Sequence, residues 1–237
     1  GFLVKDSSGE FVRFQGPNAN FTHAGLIDLT NTAAREWVAN ELRQALDYGA
    51  RGWMADYAEW MPVDDVVLAS GEDPALMHNR YPIMWQKLNE EIIEEAGLAD
   101  EAIAFYRSGW MGSQPYARVI WAGDQNTDFD PNDGFPTILP LGIGLSATGF
   151  PFYGHDIAGY QSNTTDPSTK ELFLRWTSLG AFSPVMRTHH GTHASENWNL
   201  ERDAETTAHW KRYAQLHTQL FPYLWGLAKR AVEEGEP

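Results

Sequence analysis

Two aspartates, Asp56 and Asp124, stand 68 residues apart in closely similar surroundings, "WMADY" at 53–57 and "IWAGDQ" at 120–125. In each, an apolar and aromatic run climbs to a single carboxylate. A carboxylate among such neighbours is costly unless it is paired, solvated or used. Hydrolysis of a glycosidic bond uses two carboxyl groups in different protonation states: one ionised, the other holding a proton for the leaving oxygen. The proton donor must titrate above the ordinary carboxylate range, and low-dielectric walls or a neighbouring negative charge produce that change. Asp56 and Asp124 supply such a pair if they meet. Glu59, a further acid, follows Asp56 by three residues. The bland alternative for either aspartate is a helix cap or an ion-pair partner.

The elements that must position these groups alternate along the chain. "AGLIDL" (24–29), "RGWMADY" (51–57), "AIAFYR" (102–107), "ARVIWAGD" (117–124), "FPFYGHD" (150–156) and "SPVMRTHH" (183–190) read as strands. Helical spacing is evident over 32–48 (Ala34, Val38, Leu42), 82–96 (Trp85, Leu88, Ile92), 168–179 (Leu172, Trp176, Leu179) and 203–220 (Trp210, Tyr213, Leu216). The apolar run 135–148 reads as a buried helix, and the polar stretch from Pro62 to Asn79 as an active-site loop.

Strands that alternate with helices imply parallel βα units. Asp28, Asp56, Arg107, Asp124, Asp156, and Arg187 with His189 each fall at or just after a strand's end. In a (β/α) barrel those ends share the face that carries the active site. A doubly wound nucleotide fold would show a glycine-rich phosphate loop, and no G-x-G-x-x-G or P-loop occurs. The G-x-G of "GIGLSATG" (142–149) lies in an apolar helical run and reads as packing. The fold class is therefore α/β, a (β/α)8 barrel. Six strands are two short of closure, so residues 1–237 are expected to be the later part of a catalytic barrel. An open barrel has unpaired strand edges, and the isolated piece is expected to be poorly soluble and inactive without its flanks.

Composition sets the remaining bounds. Of 237 residues, 43% are hydrophobic and 21% charged, which is ordinary for a globular chain. No apolar run is long enough to span a membrane as a helix. The absence of cysteine excludes disulfides, thiol catalysis and zinc–thiolate sites. The net charge of −15 disfavours a nucleic-acid partner. Ten tryptophans and nine tyrosines supply either a large core or flat faces on which a sugar stacks. "HHGTH" (189–193) raises a metal alternative, but Gly191 breaks the helix such spacing needs and no H-E-x-x-H motif exists. A metal-dependent hydrolase on the same barrel is thus the second enzyme class. A cytoplasmic location is the expectation.

"GWMADYAEWMPVD" (52–64), "HNRYP" (78–82), "GSQPYARVIWAGDQNTDF" (112–129), "HDIAGY" (155–160) and "SPVMRTHHG" (183–191) together resemble glycoside hydrolase family 31, and within it the sulfoquinovosidase branch. The resemblance runs from about Leu3 to Leu224. It implies a retaining α-glycoside hydrolase that needs no metal and no cofactor and acts on a small-molecule α-glycoside, with a sulfonated sugar preferred. An α-glucosidase or α-xylosidase of the family, or a sugar-binding relative without activity, are the alternatives. It also implies an N-terminal β-sandwich and C-terminal β-domains outside these residues.

Carried over residue by residue, the resemblance makes Asp56 the nucleophile and Asp124 the general acid/base. Arg187 and His189 match an "RTH" that binds sugar hydroxyls. Arg107 matches an arginine beside the catalytic pocket, and Asp156 matches the "DIGG" aspartate that shapes it. Trp53 and Trp121 are expected to line the pocket, and Tyr160 to help hold the sulfonate, partly through water. Two positions depart from the pattern. Ala158 replaces a usual glycine, which puts the turn before Tyr160 in doubt, and His190 stands where the branch often has glutamate. Retention predicts carboxyl groups about 5–5.5 Å apart.

Overall fold

The alternation of strand and helix is present in the computed structural model, which describes residues 1–13, 24–163 and 165–236. These fall into two units, Gly1–Arg118 and Val119–Pro237. The first contains helix α1 (Thr32–Asp47), strand β1 (Gly52–Met54), helix α2 (Pro74–Glu95) and strand β2 (Ile103–Tyr106). β1 and β2 are parallel, with Trp53 opposite Ala104 and Met54 opposite Phe105. Asn31 starts α1 because its side-chain oxygen accepts from the Ala33 and Ala34 amides. Val38, Met77, Leu88 and Ile92 from the two helices join Val4, Leu29 and Met61 in one buried cluster.

Two sequence expectations change here. The segment 24–29 is not a barrel strand. It forms isolated antiparallel bridges, Ile27 with Leu3 and Gly25 with Arg13. The cause is an upstream reversal: Asp6 Oδ1 accepts from the Ser8 amide at 2.9 Å and the Glu10 amide at 3.0 Å, which folds the first residues into a ready antiparallel partner. α2, in turn, begins at Pro74 rather than near Pro82, so the polar loop is shorter than expected. Asp73 caps the helix by accepting from Ala75, and Pro74 occupies the first turn, where a lacking N–H is harmless. Pro82 lies inside the helix, and its neighbours Met77 and Tyr81 are buried.

The second unit contains strand β3 (Val119–Trp121), a 3-10 turn (Phe135–Thr137), helix α3 (Ile138–Ala147), strand β4 (Tyr153–Ile157), helix α4 (Lys170–Gly180), strand β5 (Val185–Thr188), and helices α5 (Ala204–Gln219) and α6 (Phe221–Glu234). β3, β4 and β5 pair in parallel, with Trp121 opposite Gly154 and Asp156 opposite Arg187. Ile138, Ile157, Leu172, Phe173 and Trp176 form the core. The apolar run expected to be buried is helical, but Leu139, Leu141 and Ile143 of α3 are exposed. Its inner face is the Gly142 side, where an added Cβ would come within 2.8 Å of the Tyr153 ring, which makes this a packing glycine. α6 lies beyond the helical spacing read over 203–220, and Pro222 sits in the first turn of this new helix. Among the described residues no helix is long and apolar enough to cross a membrane.

Asp28, one of the polar residues marked out at a strand end, has a structural task. It is buried. Its Oδ1 accepts from the Thr30 amide at 3.0 Å and the Thr30 hydroxyl at 2.5 Å, and its Oδ2 from the Ala69 amide at 2.8 Å. Asp28→Ala leaves those donors unmet and is expected to lower the unfolding free energy by about 2–4 kcal/mol, while leaving ligand affinity unchanged in the fraction that folds. Denaturant titration alongside ligand binding checks both halves.

Candidate active site

The β1–β2 register, continued by the Ala55 amide donating to the Phe105 carbonyl at 2.9 Å, brings Asp56 level with Arg107. Asp56 Oδ1 lies 3.2 Å from Arg107 Nε and accepts from the Tyr57 amide at 2.8 Å. Arg107 also donates to Glu59 Oε1 through Nε at 2.9 Å and Nη2 at 2.5 Å. Its Cζ lies 4.3 Å from the Tyr57 ring centroid and 5.5 Å from that of Trp60. The guanidinium is thus held by residues 56–60, and its side chain is only 11% exposed.

This wrap requires an unusual turn. Tyr57 and Ala58 take φ of 62° and 80°, both in the left-handed region. For residues with a Cβ this costs about 1–2 kcal/mol each. The turn is tied down by the Ser108 hydroxyl, which donates to the Tyr57 carbonyl at 2.7 Å, and by Gln86, which donates to the Ser108 carbonyl at 2.7 Å. A cavity of about 260 Å³, lined among others by Leu26, Asp56, Tyr57, Trp60 and Trp85, opens beside the aspartate.

In the second unit Asp156 and Arg187 form an ion pair across β4 and β5. Asp156 is almost wholly buried. Trp121, also buried, lies opposite Gly154, on the layer below that pair. Past β5, His189 Nδ1 accepts from the Gly191 amide at 3.0 Å, which leaves its proton on Nε2 as an outward donor. Burial, then Arg187, then His190 lower the His189 pKa and favour that neutral form. The rings of His189 and Tyr160 meet edge to face at 4.8 Å.

Asp124 is exposed on the loop after β3. The residue that follows it anchors that loop: the Gln125 carbonyl accepts from the Tyr160 and Gln161 amides at 2.9 Å each. Tyr160 is therefore tied to the Asp124 loop, and its own carbonyl accepts from the Thr192 amide at 2.9 Å. Ala158 stands at φ 77° and Gly159 at φ 79°. The turn in question forms with alanine in the left-handed region. Gly159 has no alternative, since a Cβ there would meet the Asn126 carbonyl at 2.6 Å.

Trp53 does not line the Asp56 pocket. Strand alternation turns it away from Asp56, its indole N–H donates to Asn89 Oδ1 at 2.7 Å, and it packs against the core of its unit. The histidines of 189–193 do not converge: His193 Nδ1 is turned to the Ser162 carbonyl at 3.0 Å. Among the described residues no three of His, Asp and Glu are grouped as a metal would require. Glu59 is the functional candidate to which sequence reasoning gave no role. Its signal was the i+3 spacing from Asp56 together with a strand-end arginine in need of anions.

The chain matches the glycosyl hydrolases family 31 TIM-barrel domain over residues 1–227. It belongs to glycoside hydrolase family 31, and its five parallel strands are consistent with an incomplete (β/α)8 barrel. It is 40% identical over 243 aligned residues to the sulfoquinovosidase of Escherichia coli (strain K12), a match that covers 100% of this chain and 34% of that protein. It is 39% identical over 215 residues to the sulfoquinovosidase of Agrobacterium fabrum (strain C58), covering 90% of this chain and 32% of that one. A solved family 31 sulfoquinovosidase from E. rectale, in complex with the aza-sugar inhibitor IFGSQ, superposes with a TM-score of 0.94 at 34% identity, covering 100% of this chain and 35% of that one. The chain thus spans about a third of the length of these relatives.

Behind Asp156 lies a buried polar chain. The Trp176 indole N–H donates to His155 Nδ1 at 3.0 Å, so the imidazole proton sits on Nε2, 2.8 Å from the Ser183 hydroxyl. Burial, assisted by Arg187, pushes the His155 pKa from 6.5 down to about 4. The unfolded chain therefore binds the extra proton between those values. The neutral imidazole's contribution is fully present above pH 6.5 and is lost as pH falls to 4, by about 3 kcal/mol. In His155→Gln this increment is absent. The stability gap between wild type and variant is expected to narrow as pH drops from 6.5 to 4; a gap that stays constant in denaturant titrations would count against the buried neutral imidazole.

Proposed function

We propose that the protein is a retaining α-glycoside hydrolase whose substrate is an α-sulfoquinovoside. The observation that carries the reading is the fixing of Asp56. Arg107 and the Tyr57 amide both hold Oδ1, which leaves Oδ2 to attack. Identities of 40% and 39% to two sulfoquinovosidases support the substrate.

In this reading Asp56 Oδ2 bonds to the anomeric carbon as the bond to the leaving oxygen breaks, and Asp124 gives its proton to that oxygen. The aglycone departs as an alcohol and the sugar remains as an ester of Asp56. Asp124, now a carboxylate, takes a proton from water, and the water oxygen displaces Asp56. Two inversions restore the starting configuration. Arg187 and the Nε2–H of His189 bind sugar hydroxyls, Asp156 orients Arg187, Trp121 floors the pocket, and Tyr160 faces the sulfonate. No step calls on a cofactor.

The test uses the full-length gene product that carries these residues. Asp56→Asn is expected to lower kcat/KM by about 10⁴-fold or more, and the first-formed sugar is expected to be the α anomer by NMR. A β product, or full turnover by the variant, overturns the mechanism. Asp124→Ala is expected to lose far more rate on alkyl aglycones than on activated aryl ones, because only the former need protonation. Parallel kcat/KM values for a chromogenic α-sulfoquinovoside and the matching α-glucoside and α-xyloside decide the substrate. Preference for an unsulfonated sugar would keep the chemistry and replace the substrate.

A further inference from the structure

Glu59 has no part in the double displacement as written, yet it makes the closest contacts to Arg107 within its unit. The guanidinium reaches Glu59 Oε1 with two nitrogens, at 2.9 and 2.5 Å, and Asp56 Oδ1 with one, at 3.2 Å. The left-handed turn at Tyr57 and Ala58 is what brings an acid three residues downstream back onto the same cation. The rings of Tyr57 and Trp60 flank the guanidinium.

We propose that Glu59 is a positioning residue that keeps Arg107 from pairing fully with the nucleophile. This rests on the assignment of Asp56 as that nucleophile. A guanidinium offers a fork that matches both oxygens of one carboxylate. Paired so with Asp56, it would occupy the attacking oxygen and stabilise the ground-state charge that must disappear when the ester forms. Within this unit Glu59 takes the closer of the guanidinium's contacts. Asp56 keeps one oriented oxygen, held by Arg107 and the Tyr57 amide, and among the described residues no donor is bonded to Oδ2. Once the ester forms, Asp56 is neutral and Arg107 still has an anion, so its position is preserved for the second displacement. Glu59 therefore acts on the first half-reaction more than on the second.

The experiment is Glu59→Gln in the full-length protein, with thermal melting to establish folding and Glu59→Asp as the conservative variant. Gln keeps the shape and removes the charge. With an activated aryl α-sulfoquinovoside, kcat/KM, which reports ester formation, is expected to fall 10- to 100-fold. The second displacement is expected to change less, so the covalent intermediate seen by mass spectrometry at steady state declines. Glu59→Asp should recover part of the loss. Combined with Arg107→Lys, the losses should be clearly less than multiplicative, because both act through one contact.

Unchanged kcat/KM in a folded Glu59→Gln overturns the inference. So does a loss that slows both half-reactions alike and multiplies with that of Arg107→Lys, which is what general structural damage would give. If Glu59→Gln does not fold, the same partition is read from Glu59→Asp. Asp56→Asn is run in parallel. Its inactivity beside a wild-type Glu59→Gln sinks only this inference, whereas its full activity sinks the nucleophile assignment as well.

Discussion

A guanidinium does not give up its proton at any ordinary pH, so one that is nearly buried obliges its surroundings to supply negative charge. Arg107 imposes that condition on residues 56–60, and the first unit's site is the solution. Two carboxylates meet the cation and two aromatic rings flank it. To present both acids, the chain turns through two left-handed residues, neither of them glycine. A turn with that local cost persists only where neighbours over-determine it. Ser108 and Gln86 do so from β2's end and from α2. The orientation of Asp56 is thus set by elements on both sides of it.

The second unit answers a related condition differently. Asp156 and Arg187 are again cross-strand neighbours on parallel strands, with the acid on the earlier strand. The side chain of Asp156 is 2% exposed, however, whereas that of Asp56 is 34% exposed. An acid sealed against its arginine is suited to hold geometry, and one left open on a cavity is suited to bond formation. The buried Trp176–His155–Ser183 chain stands directly behind the sealed pair, on the helix-facing side of β4. Residues adjacent in sequence, His155 and Asp156, therefore serve opposite faces of one strand.

Much of this was legible. A carboxylate or arginine at the end of each apolar run is a local pattern, and parallel βα units turn it into one face without further information. Alternation also carries the orientation of Trp53: counting back by twos from Asp56 gives Met54, not Trp53, on its face. Other features were not local. The pairing of 24–29 depends on a turn at Asp6–Glu10 some twenty residues upstream. The helical spacing over 82–96 starts at Pro82, but that proline is carried inside a helix begun by the Asp73 cap, and Pro222, beyond the spacing over 203–220, opens a new helix. Glu59 reads only as a further acid three residues after Asp56. Only the left-handed turn shows that it returns to Arg107.

In the proposed reading the strands account for the reaction better than for its substrate. Asp56 with Arg107, and Asp156 with Arg187, stand on or within two residues of a paired strand, and within each unit the geometry of the pair follows from register. Tyr160 does not. It hangs between the Asp124 loop, through the Gln125 carbonyl, and the His189 loop, through its own carbonyl to Thr192. Its position is the joint product of three loops and of a turn with alanine at φ 77°. A displacement of the Tyr160 backbone therefore also moves the loop carrying Asp124 or the loop carrying His189. In the roles proposed for Tyr160 and Asp124, specificity and proton transfer are thereby mechanically linked. Within its own unit Asp56 is held by Arg107, which Glu59 also engages. In the proposed reading, substrate preference resides in the loops while the nucleophile stays where β1, β2 and one nearly buried cation put it.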